Sequence, residues 1–426
     1  MRTIGLFAAV SIGIGGMVGG GIFAVLGEAV SLAHGATPIA FFIAGVIALL
    51  TAYSYAKLSV KFQSRGGTVC FVDNAFGFNI LSGSINFMLW LSYIVTISLY
   101  SVAFASYGLT FFETKTPLLQ HALISLAIIL PAIINIVSAS FVGKSESIIV
   151  AIKVTLLIVV IVSGGFYVDF SHFNPQNYGT NLSILSAGMI IFVAYEGFEL
   201  IANASQSIKD PEKNLPRAYY LSVGIVIVLY ILIAMVTVGT VDEKALLNAQ
   251  DYALALAAKP ALGQIGFTLV AAAALLSTFS AINATIFGNA RLGYIIAKDG
   301  ELPTIFEYER GEIPIMGVTF TVLASLLLAN SINLDEIAII ASAGFLLIFF
   351  IVNLSALKLR KKIGANVVVV LSAVVATVLA LGVLLFQTYQ SNPKAIAIFV
   401  LFMIFSFLFE FIYGQSVRGH LFKREY

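Results

Sequence analysis

Twelve stretches of about 20 mostly apolar residues follow one another along this chain of 426 residues. An α-helix needs about 20 apolar residues to cross the hydrocarbon core of a bilayer. Hydrophobic residues make up 60% of the sequence and charged residues only 10%, whereas charged residues make up about 25% of a typical soluble domain. The sequence therefore predicts an all-α membrane protein with twelve transmembrane helices, numbered below as spans one to twelve.

The composition excludes several classes of function. The net charge is +2, which gives no strong field for binding nucleic acid. A single cysteine, Cys70, rules out an intrachain disulfide framework, and the four histidines are far apart in the sequence. We therefore expect no metal site, no cofactor and no nucleic-acid partner. The sequence leaves open whether the protein is a monomer or a dimer.

The basic residues predict how the chain is oriented in the membrane. With a cytoplasmic N-terminus, 18 lysines and arginines fall on the inner side and 4 fall on the outer side. Cytoplasmic loops of membrane proteins carry an excess of these residues. We therefore expect a multi-pass protein of the cell membrane, with both termini in the cytoplasm and the first apolar run, residues 4–26, retained as span one. One lysine, Lys153, falls on neither side because it lies within span five.

Span one contains a cluster of glycines near its middle. Six of the nine residues at 13–21 are glycine. Each glycine disfavours a helix by roughly 0.5–1 kcal/mol relative to alanine, and backbone groups freed within a membrane must meet protein, water or a ligand. Close helix packing by small residues is an alternative explanation, and Gly15 and Gly19 have the spacing for it. Three consecutive glycines at 19–21 exceed that need, so the cluster predicts a broken helix at a binding site.

Span six contains a second interruption. Residues 192–199, with the sequence FVAYEGFE, place Glu196, Gly197 and Glu199 at the depth of the membrane centre. An ionised acid there costs on the order of 2–3 kcal/mol or more, so it is expected to face a polar interior. A protonated glutamate hydrogen-bonded within the bundle is the alternative. The two interruptions lie five spans apart, which is typical of a transporter with two inverted repeats and a site at the membrane midplane.

Two broken helices that face each other present both kinds of backbone group to a ligand. The half-helix that begins near Gly20 directs its free N–H groups and the positive end of its dipole at an anion. The carbonyl groups that end the preceding half-helices, near Met17 and at residues 193–196, attract a cation. An α-amino acid carries a carboxylate and an ammonium group on one carbon, and it is therefore the expected ligand.

Five motifs in sequence order resemble those of the amino acid–polyamine–organocation permeases. They extend through the first ten spans and comprise GGMVGGGIF at 15–23, GG at 66–67 with AFG at 75–77, FVAYEGFE at 192–199, DPEKNLPR at 210–217, and the segment 291–303, which ends in AKDGELP. The resemblance implies a LeuT-type fold with a ten-helix core at residues 1–363. Its repeats would occupy residues 1–170 and 171–363 approximately, and residues 364–426 would form two further helices and a short cytoplasmic tail.

The same resemblance implies which residues bind the substrate. They are Met17, Gly19, Gly20, Gly21, Val193, Ala194, Glu196 and Phe198. The amide groups of Gly20 and Gly21 would hold the carboxylate, and carbonyl groups of both breaks would hold the ammonium group. Phe198 would close the site from outside as an aromatic lid. Glu196 stands where many members have an apolar residue, and this carboxyl group can favour a cationic side chain or a polyamine, or it can couple transport to protons.

The resemblance also gives Lys153 a role in ion coupling. Sodium-coupled members of this fold place an ion between spans one, five and eight, and archaeal proton-coupled permeases have a lysine at the matching position of span five. The ammonium group of Lys153 would contact the carbonyl of Gly15 and the hydroxyl of Ser277 or Ser280. A fixed positive charge there makes a sodium ion redundant, and the lysine can take up and release a proton during transport. The alternative is a side chain that reaches along the helix to the membrane surface.

Together these inferences predict a secondary active transporter that imports amino acids with protons, without sodium, by alternating access. An exchanger of amino acids, amines or polyamines with the same fold is the nearest alternative. A channel is the alternative from a different functional class. Channels commonly have a short selectivity-filter motif that the symmetry of an oligomer repeats, and no such motif is visible in this sequence. An enzyme is not expected, because the spans hold no nucleophile with a base and no metal cluster.

Overall fold

The computed structural model of the chain describes residues 2–137, 139–311 and 313–416, without the side chains of residues 139–147 and Gln250. Helices dominate these ranges, because a segment in lipid has to satisfy its backbone hydrogen bonds internally. The α-helices are α1 (Leu6–Met17), α2 (Gly21–Ala33), α3 (Thr37–Lys61), α4 (Thr68–Phe76), α5 (Ile80–Leu109), α6 (Pro117–Val137), α7 (Ala139–Gly165), α8 (Asn181–Ile190), α9 (Leu200–Asn203), α10 (Pro211–Thr240), α11 (Glu243–Asn248), α12 (Ala253–Ala257), α13 (Lys259–Lys298), α14 (Ile315–Ser331), α15 (Leu334–Lys358), α16 (Arg360–Ile363), α17 (Val367–Ser391) and α18 (Pro393–Ser416).

The number of membrane spans is close to the predicted twelve. Within the described ranges, ten helical segments are long and apolar enough to cross a bilayer, and the bent pair α1 and α2 makes an eleventh span. The remaining predicted span, span nine, corresponds to α14, an apolar helix of 17 residues. The count of twelve therefore stays a prediction, whereas the helical class is confirmed.

The predicted all-α class has one small exception. Strand β1 (Glu309–Arg310) pairs antiparallel with strand β2 (Ile313–Pro314) in the loop before α14. The predicted cytoplasmic tail at 417–426, with the basic residues Arg418, Lys423 and Arg424, lies outside the described residues, as does the side chain of Lys144.

Helix α5 forms the centre of the bundle. It begins with a capping box, in which the side chain of Asn79 accepts the amide of Ser82 and the Ser82 hydroxyl accepts the amide of Asn79. It is buried along most of its length and packs against α13, α15, α6 and α14. Helices α17 and α18 expose most of their surface and pack on the outside of α15, α3 and α5. Span three is therefore surrounded by protein, whereas spans eleven and twelve are peripheral.

Loop contacts define the two ends of the bundle. The guanidinium of Arg2 donates to Gln63, the amide of Gln206 donates to the carbonyl of Gln63, and the amide of Thr3 donates to the carbonyl of Ser207. The N-terminus and the loops after α3 and α9 therefore share one end, called the basic side below because many of the lysines and arginines lie there. At the opposite end, His34 after α2 contacts Glu243 in α11, with 2.5 Å between Nδ1 and Oε1.

Candidate functional site

Span one is interrupted between α1 and α2, which meet at an angle of 47°. Helix α1 ends at Met17, the amide of Val18 donates to the carbonyl of Ile14, and α2 begins at Gly21. The first amide groups of a helix have no acceptor within that helix. The N–H groups at the start of α2 therefore point into the break. The interruption coincides with the glycine cluster, as the sequence predicts.

Span six unwinds between α8 and α9. Helix α8 ends at Ile190, a 3₁₀ helix follows at Ile191–Tyr195, and the α-helix resumes at Leu200. In between, Glu196 has an extended backbone and Gly197 has a φ of 119°. Side chains with a Cβ atom rarely adopt such a positive φ, so the chain needs glycine at this position. The second predicted interruption is therefore present as well.

The two breaks touch each other through their backbones. A Cβ atom placed on Gly197 would lie 2.3 Å from the carbonyl carbon of Gly16. A Cβ atom on Gly21 would lie 2.7 Å from Cα of Ala194. Protein interiors are packed at van der Waals contact, so no side chain fits at either position. These glycines therefore allow the interrupted segments to meet face to face.

Tyr230 on α10 bridges the two breaks. Its hydroxyl lies within donating distance of two carbonyl oxygens, that of Met17 at 2.6 Å and that of Ala194 at 3.0 Å. The carbonyl of Val193 accepts the amide of Glu196 at 3.1 Å. Each carbonyl oxygen has a second lone pair for another donor. The carbonyl groups of Met17, Val193 and Ala194, which are among those expected to hold an ammonium group, are thus engaged by the protein in this conformation.

Lys153 on α7 is buried beside the break of span one. Its side chain is 1% exposed, and Nζ donates to the carbonyl of Gly15 at 3.0 Å. The hydroxyl of Ser277 on α13 donates to the carbonyls of Gly19 at 2.6 Å and Val18 at 3.2 Å. Spans five and eight therefore place polar groups on different carbonyl groups of the same short stretch of span one. Ser280, the other predicted partner on α13, is buried one turn further along.

A cavity of about 210 Å³ begins at the breaks and extends toward the basic side. Gly15, Gly16 and Gly197 line it at the breaks, and Thr68 and Asn203 line it near the loops of the basic side. No described residue of α2 contributes to its wall. The volume corresponds to on the order of seven water molecules at about 30 Å³ each, which suits a small ligand.

Comparisons with known proteins agree with this architecture. The family model described as "Amino acid permease" matches residues 4–414. The chain belongs to the amino acid permease family. An uncharacterized protein of Methanocaldococcus jannaschii is 34% identical over 98% of the permease and 96% of its own length. The inner membrane transport protein YbaT of Escherichia coli is 31% identical over 93% and 92% of the two chains.

A solved structure supports the fold independently of the sequence. The crystal structure of a histidine-to-alanine mutant of the Eremococcus coleocola manganese transporter has a TM-score of 0.59 to the permease. It covers 96% of the permease and 94% of its own chain, at 12% identity, so the likeness concerns the fold alone. Together with the family, it confirms the LeuT-type fold and makes the permease a secondary transporter in a membrane, not an enzyme.

Helix α5 contributes a polar stripe that the sequence analysis missed. Tyr93, Thr96 and Tyr100 recur at intervals of three and four residues, which puts them on one helix face. The hydroxyl of Thr96 donates to Oε2 of Glu196 at 3.0 Å. The ring of Tyr100 covers Gly20, where an added Cβ would lie 2.2 Å from Cδ1. The spacing of these three residues places them on one face, but it does not by itself show that this face meets the breaks.

The two carboxyl groups of span six have different surroundings. Glu199 accepts the amide of Gly197 at 2.7 Å on Oε2 and the hydroxyl of Tyr93 at 3.1 Å on Oε1. These bonds hold the unwound backbone in place. Glu196 is 4% exposed and lines the cavity. Of the two acids, Glu196 is therefore the one that an entering ligand meets.

Phe198 lies elsewhere than expected. Its ring is fully buried and packs against Tyr55, Tyr219 and Phe349, at centroid distances of 5.5, 6.4 and 5.2 Å. Tyr55 and Tyr219 lie near the basic-side ends of their helices. The role of a lid that closes the site from outside stays a prediction for another conformation, because in this one the ring lies on the basic side of the break. Phe198 follows the break toward the basic side, and its ring fills the space between α3, α10 and α15.

Proposed function

We propose that the permease imports amino acids together with protons and does not use sodium. The observation that carries this proposal is the buried contact between the ammonium group of Lys153 and the carbonyl of Gly15. It places a fixed positive charge between spans one and five, next to the carbonyls that Ser277 of span eight engages. A sodium ion in the same place would be repelled by that charge.

The substrate in this proposal is an α-amino acid bound at the two breaks. The amide groups of Gly20 and Gly21 at the start of α2 receive the carboxylate, favoured by the positive end of the helix dipole. The carbonyl groups of Met17, Val193, Ala194 and Glu196 receive the ammonium group. In the conformation described above, Tyr230 and Tyr100 occupy this space, so substrate binding requires both side chains to move aside.

The direction of transport follows from the proposed orientation. The excess of lysine and arginine on the basic side favours a cytoplasmic location for that side, with both termini in the cytoplasm and the chain in the cell membrane. The cavity reaches toward this side, so the described conformation would face inward. Alternating access would then move the bundle of spans one, two, six and seven against spans three, four, five, eight, nine and ten. Each of these two groups takes spans from both repeats, about residues 1–170 and 171–363, and residues 364–426 form an addition outside them.

Lys153 couples the proton to this cycle. When its amine carries a proton, it donates to the carbonyl of Gly15 and holds span one against span five. When the proton leaves, the amine loses its charge and the contact weakens, because hydrogen bonds from charged donors are stronger than those from neutral ones. Release of the proton therefore loosens the packing around the break, which allows the substrate to leave on the same side.

Proteoliposomes with an imposed pH gradient test the proposal. Wild-type protein is expected to accumulate radiolabelled amino acid when the exterior is acidic, whether sodium or choline is the external cation. Lys153→Ala and the bulkier Lys153→Met should both lose this accumulation, while Lys61→Ala, which changes an exposed lysine at the end of α3, should keep it.

Three results would overturn parts of the proposal. Accumulation at the wild-type level by a well-folded Lys153→Ala protein would remove the role of Lys153. A strict requirement for sodium would refute the coupling ion. Uptake that occurs only when the vesicles contain substrate would identify an exchanger instead of a symporter.

A further inference from the structure

Glu196 gives the cavity a negative charge that the backbone site for an α-amino acid does not need. Among the described residues that line the cavity, Glu196 is the only acid, and none is a lysine, arginine or histidine. Lys153 contacts the carbonyl of Gly15, which lines the cavity, but Lys153 itself is not among the residues of the cavity wall. The cavity therefore presents one carboxyl group and no cation.

The orientation of this carboxyl group is fixed by its neighbours. Thr96 on α5 donates to Oε2 of Glu196. Among the described residues, no hydrogen bond is made to Oε1, and this oxygen is the one available to a ligand in the cavity. Glu199, the other acid of the break, cannot take this role, because the amide of Gly197 and the hydroxyl of Tyr93 engage both of its oxygens.

A carboxyl group in a site shielded from water stays ionised only with a partner, and otherwise it takes up a proton. An unpaired buried charge is strongly unfavourable, and an opposite charge a few ångströms away offsets much of that cost. Glu196 belongs to the same unwound segment as the carbonyls of Val193 and Ala194. A substrate whose α-ammonium group contacts those carbonyls would therefore lie close to Glu196, and a side chain that extends into the cavity would meet this carboxyl group.

We propose that Glu196 binds a second cationic group on the side chain of the substrate, which makes diamino acids such as ornithine and lysine the preferred class. This inference rests on the proposed function, because it assumes that the α-amino and α-carboxyl groups bind at the two breaks. Thr96 is a positioning residue in this arrangement, since it holds the carboxylate but does not touch the ligand.

Matched pairs of ligands test the inference. Norleucine is lysine without the side-chain amine, and norvaline stands in the same relation to ornithine. Wild-type protein in proteoliposomes should bind lysine and ornithine roughly tenfold or more tightly than the matched neutral amino acids, because a charge-assisted hydrogen bond exceeds a neutral contact by about one factor of ten in affinity.

Four variants separate the role of Glu196 from general damage. Glu196→Gln should remove most of the preference by weakening the binding of lysine and ornithine. Thr96→Val should partly reduce the preference for diamino acids, because it removes the hydroxyl that holds Glu196. Thr96→Ser keeps a hydroxyl and should keep the preference. Glu212→Gln, which changes an exposed acid in the first turn of α10, should leave the preference as in the wild type.

The outcomes distinguish this inference from the proposed function. Equal affinities of the wild-type protein for lysine and norleucine would refute the role of Glu196, while proton-driven uptake of norleucine would leave the proposed function in place. A Glu196→Gln variant that loses its response to the pH gradient for all substrates alike, without a change in selectivity, would also refute it and would make Glu196 a proton carrier. Failure to bind or transport any amino acid would refute the proposed function itself.

Discussion

The contact between the two breaks makes a quantitative prediction about Gly197. In Gly197→Ala, the alanine must adopt a backbone φ of 119°. Its Cβ atom would also lie 2.3 Å from the carbonyl carbon of Gly16. Strain from a sparsely populated backbone region costs about 1–3 kcal/mol. Overpacking against a backbone that cannot rotate away costs about another 1–3 kcal/mol. We therefore expect a loss in the free energy of unfolding of about 2–6 kcal/mol.

Two other glycines calibrate this value. Gly16 lies within helix α1, so Gly16→Ala causes no strain in the backbone. Its Cβ atom would lie 2.7 Å from the carbonyl oxygen of Gly197, so only the overpacking cost remains. Gly224 lies within α10 and has no atom within 4 Å of an added Cβ. Gly224→Ala should therefore change the stability by at most about 1 kcal/mol, in the stabilising direction.

Denaturation of the purified proteins in detergent, followed together with amino-acid affinity, measures these effects. The expected order of stability is Gly224→Ala, then Gly16→Ala, then Gly197→Ala, and the last variant should also lose substrate affinity because the breaks are pushed apart. If Gly197→Ala matched Gly224→Ala in both stability and affinity, the face-to-face packing of the two interrupted spans would be wrong.

Three further predictions concern the surroundings of the breaks and one loop at the end of the bundle opposite the basic side. Gly20→Ala should destabilise the protein by about 1–3 kcal/mol through overpacking against the ring of Tyr100, and the added change Tyr100→Ala should recover part of the loss in a double-mutant cycle; strictly additive effects would show that the two residues do not touch. Tyr230→Phe should lower the free energy of unfolding by about 1–3 kcal/mol, because buried carbonyls of both breaks lose their hydrogen-bond donor. An unchanged thermal midpoint would contradict that contact. Burial raises the pKa of the Asp251 carboxyl, in the loop before α12, above its usual range, and the hydroxyl of Ser106 lowers it in part. The folded protein then binds more protons than the unfolded chain between the ordinary and the raised pKa, so stability should fall as the pH rises through that window. Thermal midpoints measured at a series of pH values should show a smaller fall for Asp251→Asn, and equal slopes would refute this account.

Local sequence patterns were sufficient to find the two breaks. Three consecutive glycines at 19–21 and the acids around Gly197 conflict with a continuous apolar helix at the level of single residues. The conflict is visible without knowledge of neighbouring helices, because helix propensity and the cost of charge in lipid are local properties. The structure has its interruptions at these two places.

The side chains around the breaks could not be assigned in the same way. Tyr93, Thr96, Tyr100 and Tyr230 come from spans three and seven, which contain no local defect. In a membrane protein, helix faces toward lipid and toward protein are both apolar, so the hydrophobic pattern does not show which face points inward. Phe198 illustrates the same difficulty, since its place in the motif suggested a lid and its ring packs between other helices.

The sequence by itself determined that the chain crosses a membrane many times, that two of its spans are interrupted, and that Lys153 lies within a span. These properties depend on the free energy of transferring single segments and groups from water to lipid. Only the tertiary structure decided which of the two acids faces the cavity and which tyrosines cover the breaks. Such contacts depend on how far each helix is rotated about its axis, and that rotation is set by packing between helices distant in the sequence.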